Sequence, residues 1–260
     1  MRQLVFSLCF AMAPLTVSAE DLTRDFNAIG EYQAAAPVIF PDFKTDFWQL
    51  DMTPSAVRDR MERLGYEIRR DFSDSIKVDD GNIRVVTEKY QREMFGRKEA
   101  RAVIGSPNGI DEQTLSFFFA PPEGGVQRIS GLVRDVIYHY RDGQKRLNFP
   151  AVDAAMKEKY GPGSNEGSYV DGNNRYFFRT YCYDKAATLK AEDKTCTLQT
   201  LKNGIATVIK LGDNDDVMGF NITYFSAEYD QSLNAAIKDK LAPIAAEYKK
   251  RQLEQPDLGL

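Results

Sequence analysis

The feature that most constrains the fold of this chain is a helix and a hairpin that both recur in the same order. Residues 52–66 (MTPSAVRDRMERLGY) and 151–161 (AVDAAMKEKYG) each place apolar side chains on one helical face. Their shared Ala-Val pair and the methionine after it recur 95 positions apart. Residues 115–133 and 206–224 then align without a gap as two strands joined by a turn, 91 positions apart. The chain is therefore predicted to contain two tandem units of the same construction.

Each predicted unit is one helix packed on a short antiparallel sheet, so the predicted fold class is α+β with a C-terminal helix added. Thr53 and Pro54 fit the start of the first helix, and Gly161 fits the end of the second. Pro243 is expected to kink or split the C-terminal helix. Further strands are predicted at residues 66–72, 83–90, 175–183 and 196–201. The predicted boundaries are residues 37–138 for the first unit, 139–227 for the second, and 228–260 for the helix and tail.

The first nineteen residues, MRQLVFSLCFAMAPLTVSA, predict export. Arg2 precedes an apolar run over residues 4–13, and a small-residue pattern ending at Ala19 suits signal peptidase. A retained membrane anchor is the alternative, but the apolar run is short for a bilayer span and is followed by Pro14. We therefore expect a signal peptide over residues 1–19, an N-terminal extension over residues 20–36, and no transmembrane segment in the mature protein.

Charge and cysteine content narrow the classes of function. The chain carries 34 Lys and Arg against 38 Asp and Glu, a net charge of −4, so nucleic acid is not an expected partner. Cys9 lies in the leader, which leaves Cys182 and Cys196 as a pair that we expect to form a disulfide in an oxidising compartment.

No catalytic, cofactor or metal site is predicted from motifs. The chain has neither a glycine-rich nucleotide loop nor a G-x-S-x-G sequence, and its single histidine, His139, has no adjacent nucleophile. GDNDDV at residues 212–217 offers oxygen atoms to calcium, but it lacks the glycine and the distal glutamate of a calcium loop, so a hairpin turn is favoured. A pair of carboxylates that meets across the sheet stays open as an alternative.

The two helices and their sheets resemble known envelope proteins. A helix begun by Met52-Thr53-Pro54, and a second ending in Lys159-Tyr160-Gly161-Pro162, are similar to the units of the β-lactamase-inhibitor-protein-like and SmpA/OmlA-like families. The tandem arrangement over residues 45–227 is more similar to the former. The resemblance implies one curved sheet built from two units and a non-catalytic protein-binding module of the bacterial cell envelope. Because the lipid-modified cysteine of the SmpA/OmlA lipoproteins is lacking, it does not imply a role in outer-membrane assembly.

Strand alternation predicts a partner-binding surface on the sheet face away from the helices. Ile129, Val133, Phe220, Ile222 and Tyr224 are expected to face the helices. The predicted partner-binding residues are Arg128, Phe177, Arg179, Tyr181, Tyr183 and Phe225. Because Phe177 and Phe178 are adjacent, the sequence leaves open which of them faces the helices, and with it the orientation of their whole strand. The competing interpretation is that the C-terminal helix covers this face.

The predicted function is an exported protein that binds another envelope protein or peptide, without chemistry, through the open sheet face. On this prediction, replacing Arg179 and Tyr181 by alanine should leave thermal stability nearly unchanged. The alternative function is a periplasmic hydrolase with an unrecognised carboxylate site.

Overall fold

The computed structural model describes most of the chain after residue 51. The described residues are 24–26, 52–79, 84–87, 89–99, 110–123, 126–140, 143, 145–184 and 189–254. The predicted signal peptide and all but three residues of the predicted extension lie outside them.

Two short helices begin and end where their capping residues require. Helix α1 (Pro54–Arg63) follows Thr53, whose Oγ1 accepts a hydrogen bond from the Ala56 amide at 3.3 Å. Helix α2 (Phe149–Tyr160) starts two residues before the predicted position, because Asn148 Oδ1 accepts from the Ala151 amide at 3.0 Å. Gly161 ends α2 in the left-handed region with φ of +78°, as expected for a helix stop.

The strands within the described residues form one large and one small sheet. In chain order they are β1 (Arg24–Phe26), β2 (Glu67–Asp74), β3 (Lys77–Asp79), β4 (Arg84–Thr87), β5 (Tyr90–Glu99), β6 (Ile110–Phe119), β7 (Ile129–Tyr138), β8 (Asn165–Asp171), β9 (Asn174–Cys182), β10 (Asn203–Leu211) and β11 (Val217–Ser226). The large sheet has the order β2-β5-β6-β7-β11-β10-β9-β8, and every neighbouring pair is antiparallel. The small sheet has the order β1-β4-β3. The predicted α+β class is confirmed.

The large sheet is joined at its centre by β7 and β11. These strands pair antiparallel with Leu132 opposite Tyr224. On one side, α1 is followed by β2, β5, β6 and β7; on the other, α2 is followed by β8, β9, β10 and β11. A helix followed by four strands of the large sheet thus occurs on both sides of the central pair.

Both predicted hairpins are present, as β6–β7 and β10–β11, but the strands outside them differ from expectation. Residues 196–201, predicted as a strand, form turns instead. Thr200 Oγ1 donates to the Thr195 carbonyl at 2.5 Å, and the Leu201 amide donates to the Thr197 carbonyl at 3.0 Å. Such local threonine bonds satisfy the backbone without a partner strand. The predicted strand 83–90 is divided between β4 and β5.

Strand β5 was predicted only at its first residue, Tyr90, and β8 was not predicted. Because β5 (YQREMFGRKE) is rich in polar and charged residues, its alternation of buried and exposed side chains is not visible in the sequence. In the structure, Tyr90, Met94 and Gly96 are buried. Strand β8 is exposed over most of its length because it lies at the edge of the sheet. Its signal is the turn after it: Asp171 pairs with Asn174 across the two-residue loop Gly172-Asn173, in which Gly172 takes the left-handed region with φ of +58°.

The core lies between the two short helices and the large sheet. Val57 and Met61 of α1 are buried, as predicted, and Met61 lies over Gly96, where a Cβ atom would collide with its Cε. In the second half, Val152 and Met156, which the repeat also predicts to be buried, are only partly buried against the sheet, as is Phe149.

A pair of tyrosines connects α2 to the centre of the sheet. The hydroxyls of Tyr160, the last residue of α2, and Tyr224 of β11 share a hydrogen bond of 2.6 Å. Burial raises the pKa of Tyr224, so its hydroxyl stays protonated at every physiological pH.

The C-terminal helix α3 (Ala227–Glu254) packs on the small sheet. It contacts β3, β4 and the start of the central strand β7, and it buries Leu233, Ile237 and Leu241. Arg92 of β5 donates to Asp230 through both guanidinium ends, at 2.5 and 2.9 Å. The helix runs through Pro243 without the predicted split. No helix in the described part of the chain is both long and apolar enough to cross a membrane.

The predicted disulfide is present. Cys182 at the end of β9 is bonded to Cys196, with 6.1 Å between their Cα atoms. Thr180 Oγ1 donates to the Cys196 carbonyl at 2.6 Å, and Cys196 is buried. The bond holds the turn segment, residues 189–202, against the ends of β9 and β10.

The burial of the two methionines predicts unequal effects on stability. Met61→Ala should lower the free energy of unfolding by about 2–5 kcal/mol, because it leaves a cavity over Gly96 in a fully buried site. Met156→Ala should cost less, since Met156 is only partly buried. Urea unfolding of both variants measures the difference, and equal losses would contradict this description of the core.

Candidate functional site

The large sheet has one face under α1 and α2 and an opposite face, here called the open face. Side chains alternate along each strand, and the register assigns each pair to one face. Because Leu132 and Tyr224 belong to the helix-side core, the neighbouring pair Val133 and Thr223 lies on the open face. The same register places these side chains on the open face: Phe95, Thr114, Phe118, Asp135, Ile137, Tyr169, Tyr176, Phe178, Val208, Asn221 and Phe225.

A groove of about 350 Å³ crosses the middle of the open face. Asp135 lines this groove, and its Oδ1 accepts a hydrogen bond from Asn221 Nδ2 at 2.6 Å. Thr114 Oγ1 donates to Asp135 Oδ2 at 3.4 Å, and Thr223 Oγ1 donates to Asn221 Oδ1 at 2.8 Å. Among the described residues, those that line the groove all come from strands, so no described helix covers it.

Three aromatic side chains, Tyr169, Tyr176 and Phe178, extend the open face towards its β8 edge and form the aromatic cluster. The Tyr169 and Tyr176 rings stack with centroids 5.0 Å apart, and Phe178 lies 6.5 Å from Tyr169. Tyr169 is 41% exposed. Gly167 provides the room for Phe178, because a Cβ atom there would lie 2.9 Å from the ring. The stacked rings are therefore held in place at the surface.

The groove also contains two carboxylates, the arrangement that the hydrolase alternative requires. Glu112 lines it together with Asp135. Arg97 Nη2 donates to Glu112 Oε2 at 2.6 Å, so both carboxylates already accept hydrogen bonds from neighbouring side chains. No cluster of three or more possible metal ligands is found in the part of the chain that the structure describes.

The acidic turn at residues 212–217 uses two of its carboxylates in ion pairs. Asp215 pairs with Arg175 and Asp216 with Arg146, both at 2.8 Å. His139 is exposed at the end of β7 and does not line the groove.

One of the six predicted binding residues, Phe225, lies on the open face, and a second, Arg128, lies outside the strands whose register assigns the faces. Phe225 is on the open face and is half-buried. Arg128 is exposed just before β7, where its carbonyl accepts a hydrogen bond from the Ala120 amide at 3.0 Å.

The other four predicted binding residues lie on the helix side, so the predicted phase of β9 was wrong. The Phe177 ring lies 4.8 Å from Phe149, and the Tyr181 ring lies 5.4 Å from Tyr160, which are the two ends of α2. Phe177, Arg179, Tyr181 and Tyr183 share this side, with Tyr181 and Tyr183 buried. Phe178 and Cys182 take the open face instead.

The prediction for Val133 was also wrong: it was expected to face the helices, and it lies on the open face. Ile129 packs in the helix-side core as predicted. The register shifts between Phe118 and Phe119, opposite the start of β7, so alternation counted from Ile129 does not carry through to Val133. Phe220, Ile222 and Tyr224 of β11 face the helices as predicted.

Arg179 explains why β9 is oriented in this way. Its side chain is 1% exposed, and its guanidinium donates to Glu166 at 2.8 and 2.6 Å and to Asp153 of α2 at 2.6 Å. It also lies 5.2 Å from the Phe177 ring centre. Burial by itself lowers the pKa of Arg179, but the hydrogen bonds to Glu166 and Asp153 outweigh it and raise the pKa. A buried arginine that was predicted to meet a partner instead fixes α2 to the sheet.

We expect Arg179→Ala to lower the free energy of unfolding by about 3 kcal/mol, because it removes the buried guanidinium that joins Asp153 of α2 to Glu166 and leaves Asp153 paired only with the exposed Lys157. Arg175→Ala is the matched control on the same strand. Its pair with Asp215 is exposed and should contribute about 1 kcal/mol or less. Guanidinium unfolding measures both. Equal stability of Arg179→Ala and the wild type would instead support the sequence-based expectation that Arg179 can be replaced without loss of stability.

The same ion pair predicts a loss of stability in acid. Burial raises the pKa of Asp153, but hydrogen bonds from Lys157 and Arg179 outweigh burial and lower it. The stabilisation is present above the unfolded pKa of about 3.9 and is lost as the pH falls through the lower folded value. Asp153→Asn should therefore reduce the loss of unfolding free energy between about pH 6 and about pH 2. The exposed Asp239→Asn is the control, and parallel curves for wild type and Asp153→Asn would contradict the assignment.

Comparison of the chain with protein-family models, with curated proteins and with solved structures finds no match. The resemblance to β-lactamase-inhibitor-protein-like and SmpA/OmlA-like proteins therefore remains an expectation from short sequence segments.

Proposed function

We propose that the protein is an exported, non-catalytic binding module that holds a segment of another envelope protein or a peptide on its open face. The observation that carries the proposal is the aromatic cluster beside the central groove, in a sheet face that no described helix covers. The two features together give a surface with an apolar anchor and a line of hydrogen-bonding groups.

The aromatic cluster has the composition and the rigidity that protein recognition favours. Tyrosine is enriched in binding sites because it contributes a large apolar area and a hydroxyl. Tyr169 and Tyr176 stack on each other, and Gly167 leaves space for Phe178. Side chains that are already ordered lose little conformational entropy when a partner binds.

The groove indicates the chemistry of the partner segment. Asp135, Asn221 and Thr114 present amide, hydroxyl and carboxylate groups in one line, which suits the backbone of an extended peptide. Two acidic residues and one lysine, Lys210, are among the residues that line it. An uncharged or weakly basic segment with one aromatic or aliphatic side chain for the cluster fits this surface best.

Export is supported by the leader and by the disulfide. The segment before Ala19 has the signal-peptide pattern, and the bond between Cys182 and Cys196 suits an oxidising compartment. We further propose that the chain is a tandem duplication, because a helix followed by four strands occurs on each side of the β7–β11 pair. A duplicated unit joined in this way accounts for one continuous open face.

A hydrolase remains the second candidate because Glu112 and Asp135 share the groove. Two carboxylates on one surface are the minimum for acid and base catalysis of glycoside cleavage. Against this, each accepts a hydrogen bond from a neighbouring side chain, and no water-excluding lid is present among the described residues.

The double variant Tyr169→Ala, Tyr176→Ala tests the binding proposal. Tagged mature protein is used to capture partners from envelope extract, and the recovered protein is quantified against the wild type. We expect capture to fall about tenfold or more, since removal of anchor tyrosines at a hot spot costs about 2 kcal/mol or more. The thermal midpoint should change little, because both rings lie at the surface.

Val170→Ala is the matched control. Val170 is 70% exposed on the same strand but points to the other side of the sheet, so its loss should leave capture unchanged. Undiminished capture by the double variant, or equal loss in the control, would reject the site. Cleavage of the captured segment by the wild type would favour the hydrolase.

A further inference from the structure

A second concave site lies on the helix side of the sheet, between the C-terminal ends of α1 and α2. We call it the interhelix cleft; its volume is about 220 Å³. Its floor is apolar and consists of Leu115, Leu132 and Ile222 from the three central strands β6, β7 and β11. Tyr66 and Tyr160 stand at its two sides. The cleft is separate from the open face, because it lies on the opposite side of the same strands.

The charge of the cleft has one sign. Lys98, Arg134 and Lys159 line it, and none of the described residues that line it is acidic. The whole chain carries a net charge of −4, so this local excess runs against the overall balance. A concave site with cations on an apolar floor concentrates anions.

The positions of the two lysines are explained in part by the C-terminal ends of α1 and α2, which they approach. Lys98 Nζ donates to the Leu64 carbonyl at 2.7 Å, just beyond the last turn of α1. Lys159 is in the last turn of α2, with Nζ 5.1 Å from the Tyr160 ring centre. Cations at these positions complement the partial negative charge of helix C-termini.

Arg134 has no such explanation. It lies in the middle of β7 and is half-buried. Nη2 donates to Gln113 Oε1 at 3.2 Å, and the guanidinium lies 5.9 Å from the Phe220 ring centre. Among the described residues no carboxylate forms an ion pair with it, in contrast to Arg179 and Arg92. A half-buried guanidinium without a counter-ion is costly unless a ligand supplies the negative charge.

Gln113 holds this guanidinium in position. Its Oε1 accepts hydrogen bonds from both Tyr66 Oη and Arg134 Nη2, each at 3.2 Å. The arginine fork is therefore fixed beside the apolar floor before any ligand arrives. Arginine pairs with carboxylates through two parallel hydrogen bonds, which adds orientation to the attraction.

We propose that the interhelix cleft binds a carboxylate carried on a short apolar stem. Arg134 pairs with the carboxylate, Lys98 and Lys159 add positive charge around it, and Leu115, Leu132 and Ile222 contact the stem. The volume is below the roughly 300 Å³ at which pockets for drug-sized ligands begin, so the ligand portion is about the size of one amino-acid residue. A free short-chain carboxylic acid and the C-terminal residue of a peptide share this chemistry.

Thermal unfolding of the mature, disulfide-bonded protein tests the proposal with sodium hexanoate and with 1-hexanol at equal concentration. At about ten times its dissociation constant, hexanoate should raise the unfolding midpoint by about 3–6 °C. Hexanol, which has the same stem without the charge, should not. An equal rise with hexanol, or with sodium phosphate in place of hexanoate, would overturn the assignment to a carboxylate on an apolar stem.

Arg134→Gln connects the effect to the cleft. It should abolish the rise with hexanoate and leave the ligand-free midpoint equal to or above that of the wild type, because it removes an unpaired charge. The exposed Arg128→Gln is the matched control and should keep the full response. Persistence of the response in Arg134→Gln, or a fall of its ligand-free midpoint, would show that Arg134 serves the fold and would overturn the proposal.

Two peptides distinguish the sources of the carboxylate. Acetyl-Gly-Gly-Leu is compared as the free acid and as the C-terminal amide. A rise with the acid alone assigns the cleft to peptide C-termini, whereas a response confined to hexanoate assigns it to free acids. Both results support the carboxylate site, and a response to the amide equal to that of the acid would reject it. None of these outcomes alters the capture measured on the open face.

Discussion

The backbone pairing between β7 and β11 is the interaction on which the rest of the structure depends. It joins the last strand of each half of the chain, with Leu132 opposite Tyr224, and so makes one sheet from two four-stranded parts. Because the register is continuous across this pair, α1 and α2 lie on the same side, and the opposite side is one continuous face of eight strands. The hydrogen bond between Tyr160 and Tyr224 then fixes the end of α2 beside the central strands.

The elements that could be predicted from sequence are those with strong local signals. Thr53 and Gly161 mark helix ends, the two aligned hairpins carry apolar runs around turn residues, and a pair of cysteines in an exported chain predicts a disulfide. The face of β9 could not be predicted, because Phe177 and Phe178 fit either phase. From sequence alone an arginine such as Arg179 is expected to be exposed. It is buried because it pairs with Asp153 and Glu166, which are distant in the sequence. Four of the six residues predicted for the binding surface therefore lie on the helix side of the sheet instead of the open face.

The two faces of the sheet are stabilised by different interactions. On the helix side, apolar burial holds α1 and α2, and the space that remains between their ends is lined by cations on an apolar floor. On the open face, hydrogen bonds among Thr114, Asp135, Asn221 and Thr223 satisfy the polar groups, and no described helix covers them. The first arrangement suits a small anion, and the second suits an extended chain.

The bond between Cys182 and Cys196 gives the open face a boundary that depends on the redox environment. It pins residues 189–202 against β9 and β10, where Thr180 and Ala206 are buried although both belong to the open face. In the reducing cytosol no covalent link holds that segment. The full outline of the surface is therefore set only under oxidising conditions, so that the redox environment and the surface shape are chemically coupled.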